Sequence, residues 1–486
     1  MSFNSIEYIL FIAIVAILYY VIPNKYQNIF LLTASYVFYV AWGVLPAFLL
    51  LAQSLQSYFA AILINKYSKY KKNIAILSIF IGLIILFIFK YFDFFFSAFG
   101  FKSLNLIVPV GVSFYTFQTI GYVLDVYREE FTPSTDIVEF LLFVSFFPQI
   151  LSGPIARSND LFYQLRRKSV FDIEDFKYFV LVFLWGLMKK MVIADNLAII
   201  VNTSFDDISS KTGFQLLFAS ICYSVQIYCD FSAYSDMAIA SARLFGIRLK
   251  RNFDNPYSAI SIKDFWRRWH ISLSSWFRDY LYIPLGGNRC GLLRQCFNLT
   301  VVFLVSGLWH GPSLTYVVWG AIHAFYQIIE LLISNSEKHF NLQTRKDNYL
   351  SNDVFNKQST WIHCIVQMAK RIITFLLVTF AFIVFRAETL NMAWDIVRSI
   401  FERFGVFDFN LLFNLGMTRI MFVVLGVVVI GLFVIERINQ DNKVVNSINC
   451  KFFVRFLVYF ILIMTIIYLG CYGPEFDAQE FVYFKF

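Results

Sequence analysis

The chain has 486 residues, of which 59% are hydrophobic and only 15% charged, and its mean hydropathy is +0.64. Soluble domains carry about a quarter charged residues, so this balance excludes an ordinary soluble fold and indicates an integral membrane protein. An aromatic content of 20% excludes a disordered chain or coiled coil, and the net charge of +9 comes from basic residues lying between apolar runs, where they read as loop anchors rather than a nucleic-acid surface.

The first apolar run, 8–22, has no basic residue before it and no small-residue cleavage motif after it, so it reads as a retained span with the N-terminus outside. Further runs follow at 29–42, 48–64, 74–89, 137–151, 179–201, 214–228, 297–309, 314–333, 372–385, 420–435 and 456–469. Several fall short of the length needed to cross a bilayer, so about 11–13 spans are expected, with re-entrant or interfacial helices among them. The apolar stretch 107–126 carries Pro109, Gly111 and Gly121, a broken backbone tolerated at membrane depth only where protein or a cavity surrounds it.

Lys66, Lys69, Lys71 and Lys72 lie between the third and fourth runs, which makes that loop cytoplasmic by the positive-inside rule. Arg166, Arg167 and Lys168 form a second basic cluster, and Arg248, Lys250 and Arg251 a third. By the same rule residues 436–455 are cytoplasmic, the last span runs outward and the C-terminus is extracytoplasmic. Seven scattered cysteines show neither a CxxC pair nor zinc spacing, so they read as packing residues, and no metal or resident cofactor is expected. No repeat or low-complexity tract interrupts the chain, so chemistry must take place within or at the membrane.

His310 follows the run 297–309 and precedes Gly311-Pro312. An ionisable residue at such depth is a functional hypothesis by default. A desolvated imidazole stays neutral and can act as a general base, and the alternative is a histidine that hydrogen-bonds between helices. His270 ends Ser261-Ile262-Lys263-Asp264-Phe265-Trp266-Arg267-Arg268-Trp269-His270, a capped, interfacial helix. Its Lys263, Arg267 and Arg268 could clamp the phosphates of an activated donor such as coenzyme A, or hold lipid headgroups. Asp195, Asp230 and Asp236 sit in apolar surroundings and need partners, either a basic side chain or a histidine to orient. His323 reads as a packing residue. The ending Phe481-Val482-Tyr483-Phe484-Lys485-Phe486 is too aromatic to float in water, and the Tyr483 hydroxyl is a nucleophile if a base stands near, or else an interface anchor.

The segments Arg251-Asn252-Phe253-Asp254-Asn255-Pro256-Tyr257, Asp264-Phe265-Trp266-Arg267-Arg268-Trp269-His270 and the run from Trp276 to Arg289 resemble the membrane-bound O-acyltransferase family. The likeness is to its bacterial branch of alginate and peptidoglycan O-acetyltransferases. The stretches 109–118, 147–150, 153–155 and 385–387, and the closing Phe481-Val482-Tyr483-Phe484, extend it over nearly the whole chain. The resemblance implies an all-α polytopic fold around a central funnel, in one transmembrane domain 1–486, with residues 1–455 as catalytic core and 456–486 as last span and tyrosine tail. It implies that His310 is the catalytic intramembrane histidine, supported by Trp309, and His270 the second, more cytoplasmic one. It further implies acetyl-CoA as donor, Tyr483 as acyl relay, and an extracytoplasmic SGNH-like acetyltransferase as partner. The final acceptor would be a surface polysaccharide and the setting the bacterial cytoplasmic membrane. Rival readings are D-alanyl or other O-acyl transfer on the same fold, and a glycan or lipid transporter. Ala233 and Gly311-Pro312-Ser313-Leu314 depart from the branch's usual pattern without removing a titratable group.

Overall fold

The computed structural model describes the chain except for residues 98–99, 101, 103, 105, 348–359, 406–407, 440–444, 446, 449–450 and 473–486, and gives no side-chain placement at 97, 337–347 or 360. The regular elements among the described residues are helices, with no strand. In chain order they are α1 (Ile6–Val21), α2 (Gln27–Val40), α3 (Val44–Lys66), α4 (Lys71–Lys90), α5 (Phe92–Ser97), α6 (Val112–Tyr127), α7 (Ile137–Ser145), α8 (Phe147–Ile150), α9 (Ser158–Leu165) and α10 (Ile173–Leu187). A π-helical turn, Met188–Ala194, joins α10 to α11 (Asp195–Phe205), and α12 (Gly213–Arg243) follows. After it come α13 (Ile262–Arg268), α14 (Ile271–Phe277), α15 (Leu292–His310), α16 (Leu314–Asp347), α17 (Thr360–Arg386), α18 (Leu390–Glu402), α19 (Arg419–Ile438) and α20 (Phe452–Leu469).

Helices prevail because the bilayer core offers no water to the backbone, and a helix satisfies its own N–H and C=O groups. Eight described helices are long and apolar enough to cross a membrane: α3, α4 with the turn before it, α12, α15, α16, α17, α19 and α20. Shorter apolar helices, Ile6–Val21 among them, accompany these, so the protein is a multi-pass membrane protein. The broken stretch 107–126 becomes helical only from Val112. Gly111 before it has φ +77°, and a Cβ there would lie 2.6 Å from the Ile150 carbonyl oxygen, so only glycine fits that turn.

The chain divides into two compact units, the first made of residues 1–200, 225–252 and 416–486, the second of residues 201–224 and 253–415. In the first, α3, α4 and α6 pack together, and α2 packs on α7. Gln53 crosses from α3 to donate to the Thr116 hydroxyl at 3.0 Å, satisfying a buried amide where no water reaches. In the second, α15 and α16 form the most extensive contact and α17 packs on α16. The glycines explain the closeness of that pair. A Cβ on Gly307 would lie 2.3 Å from the Tyr316 carbonyl oxygen, and one on Gly320 2.3 Å from that of Phe303, so the two backbones touch where side chains are absent.

Candidate active site

In the second unit α13 is short and fully capped at its start. The Ser261 hydroxyl accepts the Asp264 N–H at 3.1 Å, and the Glu330 carboxylate accepts the N–H groups of Ile262 at 2.5 Å and Lys263 at 3.0 Å. The helix breaks at His270, which adopts φ +43° and ψ +54°, a left-handed conformation uncommon for a residue with a Cβ. That turn drives the imidazole inward to 1% exposure. Burial there holds the His270 imidazole down to about 3, so the ring is neutral at physiological pH.

His310 is the last residue of α15 and is buried. Trp309 lies between the two histidines, its ring centroid 6.0 Å from His270 and 5.0 Å from His310. Trp319 of α16 and Phe385 of α17 meet the His310 ring edge to face at 5.0 and 5.2 Å. The row continues, because Trp319 stands 4.9 Å from His323 and the Trp266 indole N–H donates to His323 Nδ1 at 3.2 Å. Three histidines and three tryptophans thus alternate from the break after α13 to the middle of α16. His323, read from the sequence as a packing residue, is fully buried among these rings, and its spacing of four from Trp319 on α16 puts both rings on one helix face.

The basic residues of α13 separate by role. Lys263 and Arg267, one turn apart, are exposed. Arg268 is tied down, its Nε donating to Asp264 at 3.0 Å with Asp254 at 3.9 Å beside it.

Asp195, Asp230 and Asp236 belong to a charge network in the first unit, and their partners are lysines of the π-helical turn. Lys190 lies 2.8 Å from Asp195 and 2.9 Å from Asp230. Lys189 lies 2.5 Å from Asp236 and 3.9 Å from Glu436, and donates to Ser232 at 2.9 Å. Tyr228, Ser232 and Asp236 follow one another at intervals of four along α12, and the Tyr228 hydroxyl donates to Glu436 at 2.7 Å. Both lysines are at most 2% exposed, and a buried charge persists only with such pairing. Tyr483 lies outside the described residues. The helix before it, α20, ends with the Cys471 N–H on the Met191 carbonyl at 3.0 Å and the Leu469 carbonyl on the Asn196 amide at 2.9 Å.

Multi-pass helices with buried imidazoles packed among aromatic rings at helix ends mark a membrane-embedded enzyme. The profile of the membrane-bound O-acyltransferase family, MBOAT, matches residues 128–384, and the chain belongs to that family. It is therefore a membrane-bound acyltransferase, and the transporter reading falls away. The chain is 36% identical over 433 residues to a probable alginate O-acetylase of Pseudomonas aeruginosa, covering 86% of this chain and 78% of that protein. It is 34% identical to a peptidoglycan O-acetyltransferase of Helicobacter pylori, over 78% of this chain and 75% of the relative. A teichoic acid D-alanyltransferase of Streptococcus thermophilus is 28% identical over 50% of this chain and 61% of its own length.

Proposed function

We propose that this protein is an O-acetyltransferase of the bacterial cytoplasmic membrane that passes acetyl groups from cytoplasmic acetyl-CoA to an extracytoplasmic acceptor, for esterification of a cell-surface or secreted polysaccharide. The observation that carries the reading is the buried pair His270 and His310 around Trp309. Support for acetyl over D-alanyl comes from relatives at 34–36% identity named for O-acetylation, against 28% over half the chain for the D-alanyl relative. An SGNH-like transferase outside the membrane would complete the route, and both termini would face that side.

In the proposed step His310 takes the proton of the acceptor hydroxyl as its oxygen attacks the thioester carbonyl. The new C–O bond forms, the C–S bond breaks, and the departing thiolate recovers the proton from the imidazolium. His270 lines the approach of the donor as a neutral ring, and the exposed Lys263 and Arg267, with Arg268 as a fixed charge behind them, attract its phosphates. Tyr483 is the first acceptor, an aromatic hydroxyl whose ester the partner then cleaves. An unperturbed phenol ionises near pH 10, so it needs a base to attack at neutral pH.

The test is O-acetyl content of each surface glycan in a strain carrying only a variant protein. His310→Ala should abolish transfer while the protein still accumulates in the membrane, since losing a general base costs about 10²–10⁴-fold or more. Wild-type glycan acetylation in that strain would refute the assignment. Tyr483→Phe keeps the aromatic anchor and removes the nucleophile, so acetylation should disappear together with the acetyl mark on the C-terminal peptide. Normal acetylation by the Phe variant would instead leave direct transfer to the partner.

A further inference from the structure

The first unit holds a cavity of about 330 Å³ that plays no part in the proposed transfer. Its wall is the link from α9 to α10 on one side and the turn following α12 on the other. The two loops are locked together. The Gln164 amide donates to the Arg248 carbonyl at 3.1 Å while its oxygen accepts the Arg248 N–H at 2.7 Å, and the Ser169 hydroxyl donates to the Phe245 carbonyl at 2.9 Å. Gly246 has φ +76°, and a Cβ there would sit 2.8 Å from the Ser169 hydroxyl, so a bare Cα permits this close approach. The cavity is a built feature of the backbone.

Five charged side chains line it: Arg167, Lys168, Arg248, Asp172 and Asp175. One of the two carboxylates is neutralised and the other is engaged by backbone. Asp175 pairs with Arg243, and Asp172 caps α10 by accepting the Glu174 N–H at 2.9 Å. The cations are not neutralised in this way. Arg167 stacks on the Tyr163 ring at 4.1 Å and donates to its hydroxyl, which fixes the guanidinium without neutralising it. Among the described residues the Lys168 and Arg248 side chains have no ion-pair partner, whereas the neighbouring Lys250 is taken by Asp160. Three cations outnumber Asp172, the one lining carboxylate outside an ion pair among the described residues, so the cavity is net positive and attracts an anion with several acceptor oxygens, and a phosphate meets that description.

The rim identifies the source of the phosphate. Val170 lines the cavity and is 76% exposed, and Phe171 beside it is 50% exposed, with Ile173 and Phe176 continuing the exposed apolar surface along α10. The cavity also lies at the end of the candidate span α12, whose last residue is Arg243. Apolar side chains exposed next to a basic cavity at the end of a span are the arrangement of a headgroup site, with acyl chains on one side and phosphate on the other. A soluble phosphate compound would have no use for that rim.

We propose that this cavity binds the phosphate of an anionic glycerophospholipid. The test is native mass spectrometry of the full-length protein in detergent, titrated with dioleoyl phosphatidylglycerol, dioleoyl phosphatidylcholine or inorganic phosphate. The phosphatidylglycerol adduct should form at the lowest concentration, and the double variant Lys168→Gln/Arg248→Gln should weaken it on the order of tenfold, as loss of two charge-assisted contacts implies. The control Arg398→Gln, at an exposed charge paired with Glu402, should leave the adduct unchanged. Equal retention by the double variant and the wild type, or equal binding of both lipids, would overturn the proposal. Displacement of the lipid by coenzyme A or by inorganic phosphate at equal concentration would assign the cavity to a soluble phosphate instead and likewise overturn it. Both substituted residues are exposed, and an unchanged melting midpoint shows that the variant is folded.

Discussion

His270 combines strain and burial in a way that gives a pH signature. The unfolded imidazole protonates near pH 6.5, whereas the buried one does so only near 3. Between those values the unfolded chain binds a proton that the native protein does not. The stability present above pH 6.5 is therefore lost as pH falls, at up to about 1.4 kcal/mol per pH unit from this one group. His270→Asn keeps a side chain tolerant of the left-handed turn and cannot titrate, so the fall in melting midpoint between pH 7 and pH 5 should be shallower in the variant than in the wild type. Identical slopes would show that another group governs the acid limb. His310 stood out in the sequence because an ionisable ring beside an apolar run is conspicuous, whereas His270 was singled out only by the motif it ends, and its burial was not expected of an interfacial helix. His323 was read as a packing residue and is fully buried, but the hydrogen bond it accepts from Trp266, 57 positions away, was not legible, because no local pattern announces such a contact.

The α15 and α16 pair shows what an element can and cannot reveal. Gly311-Pro312 marks the end of α15 in the sequence, since proline cannot continue a helix and the residue before it leaves the helical region. The intimacy of the two helices is a property of both surfaces together. Gly307→Ala should push the added methyl against the Tyr316 carbonyl, 2.3 Å from the Cβ position, and the backbones must separate. A loss of about 1–3 kcal/mol or more is expected, seen as a lower melting midpoint in detergent and less protein in the membrane. Gly426→Ala on α19 is the comparison, because nothing lies within 4 Å of its Cβ position and alanine favours a helix by about 1 kcal/mol. Equal stability of the two variants would mean that α15 and α16 do not depend on this contact. The π-helical turn Met188–Ala194 was not legible, because an apolar stretch keeps no visible phase when one residue is inserted into a helix.

At the scale of the whole chain, motifs around 251–289 revealed the family, because several short patterns occur in order over most of the sequence. The charge network was legible only by half. Three carboxylates in apolar surroundings announced that partners exist, yet Lys189 and Lys190 meet residues 230, 236 and 436 through packing that sequence distance does not encode. The network joins the π-helical turn, α12 and α19 within the first unit, so it should be a common point of failure for that unit. Lys189→Met removes the ammonium and keeps the apolar stem, leaving Asp236 and Glu436 without their shared cation. Breaking a buried pair from one side costs about 3–5 kcal/mol, because the remaining charge is uncompensated. The single variant should therefore melt well below the wild type. Adding Asp236→Asn to Lys189→Met takes away one stranded charge and should restore part of the loss, and adding Glu436→Gln as well should restore more. That order separates an electrostatic penalty from a packing defect. A cavity left by the lysine would be unaffected by neutralising the carboxylates, so a triple variant no more stable than Lys189→Met would exclude the network as the source of the instability.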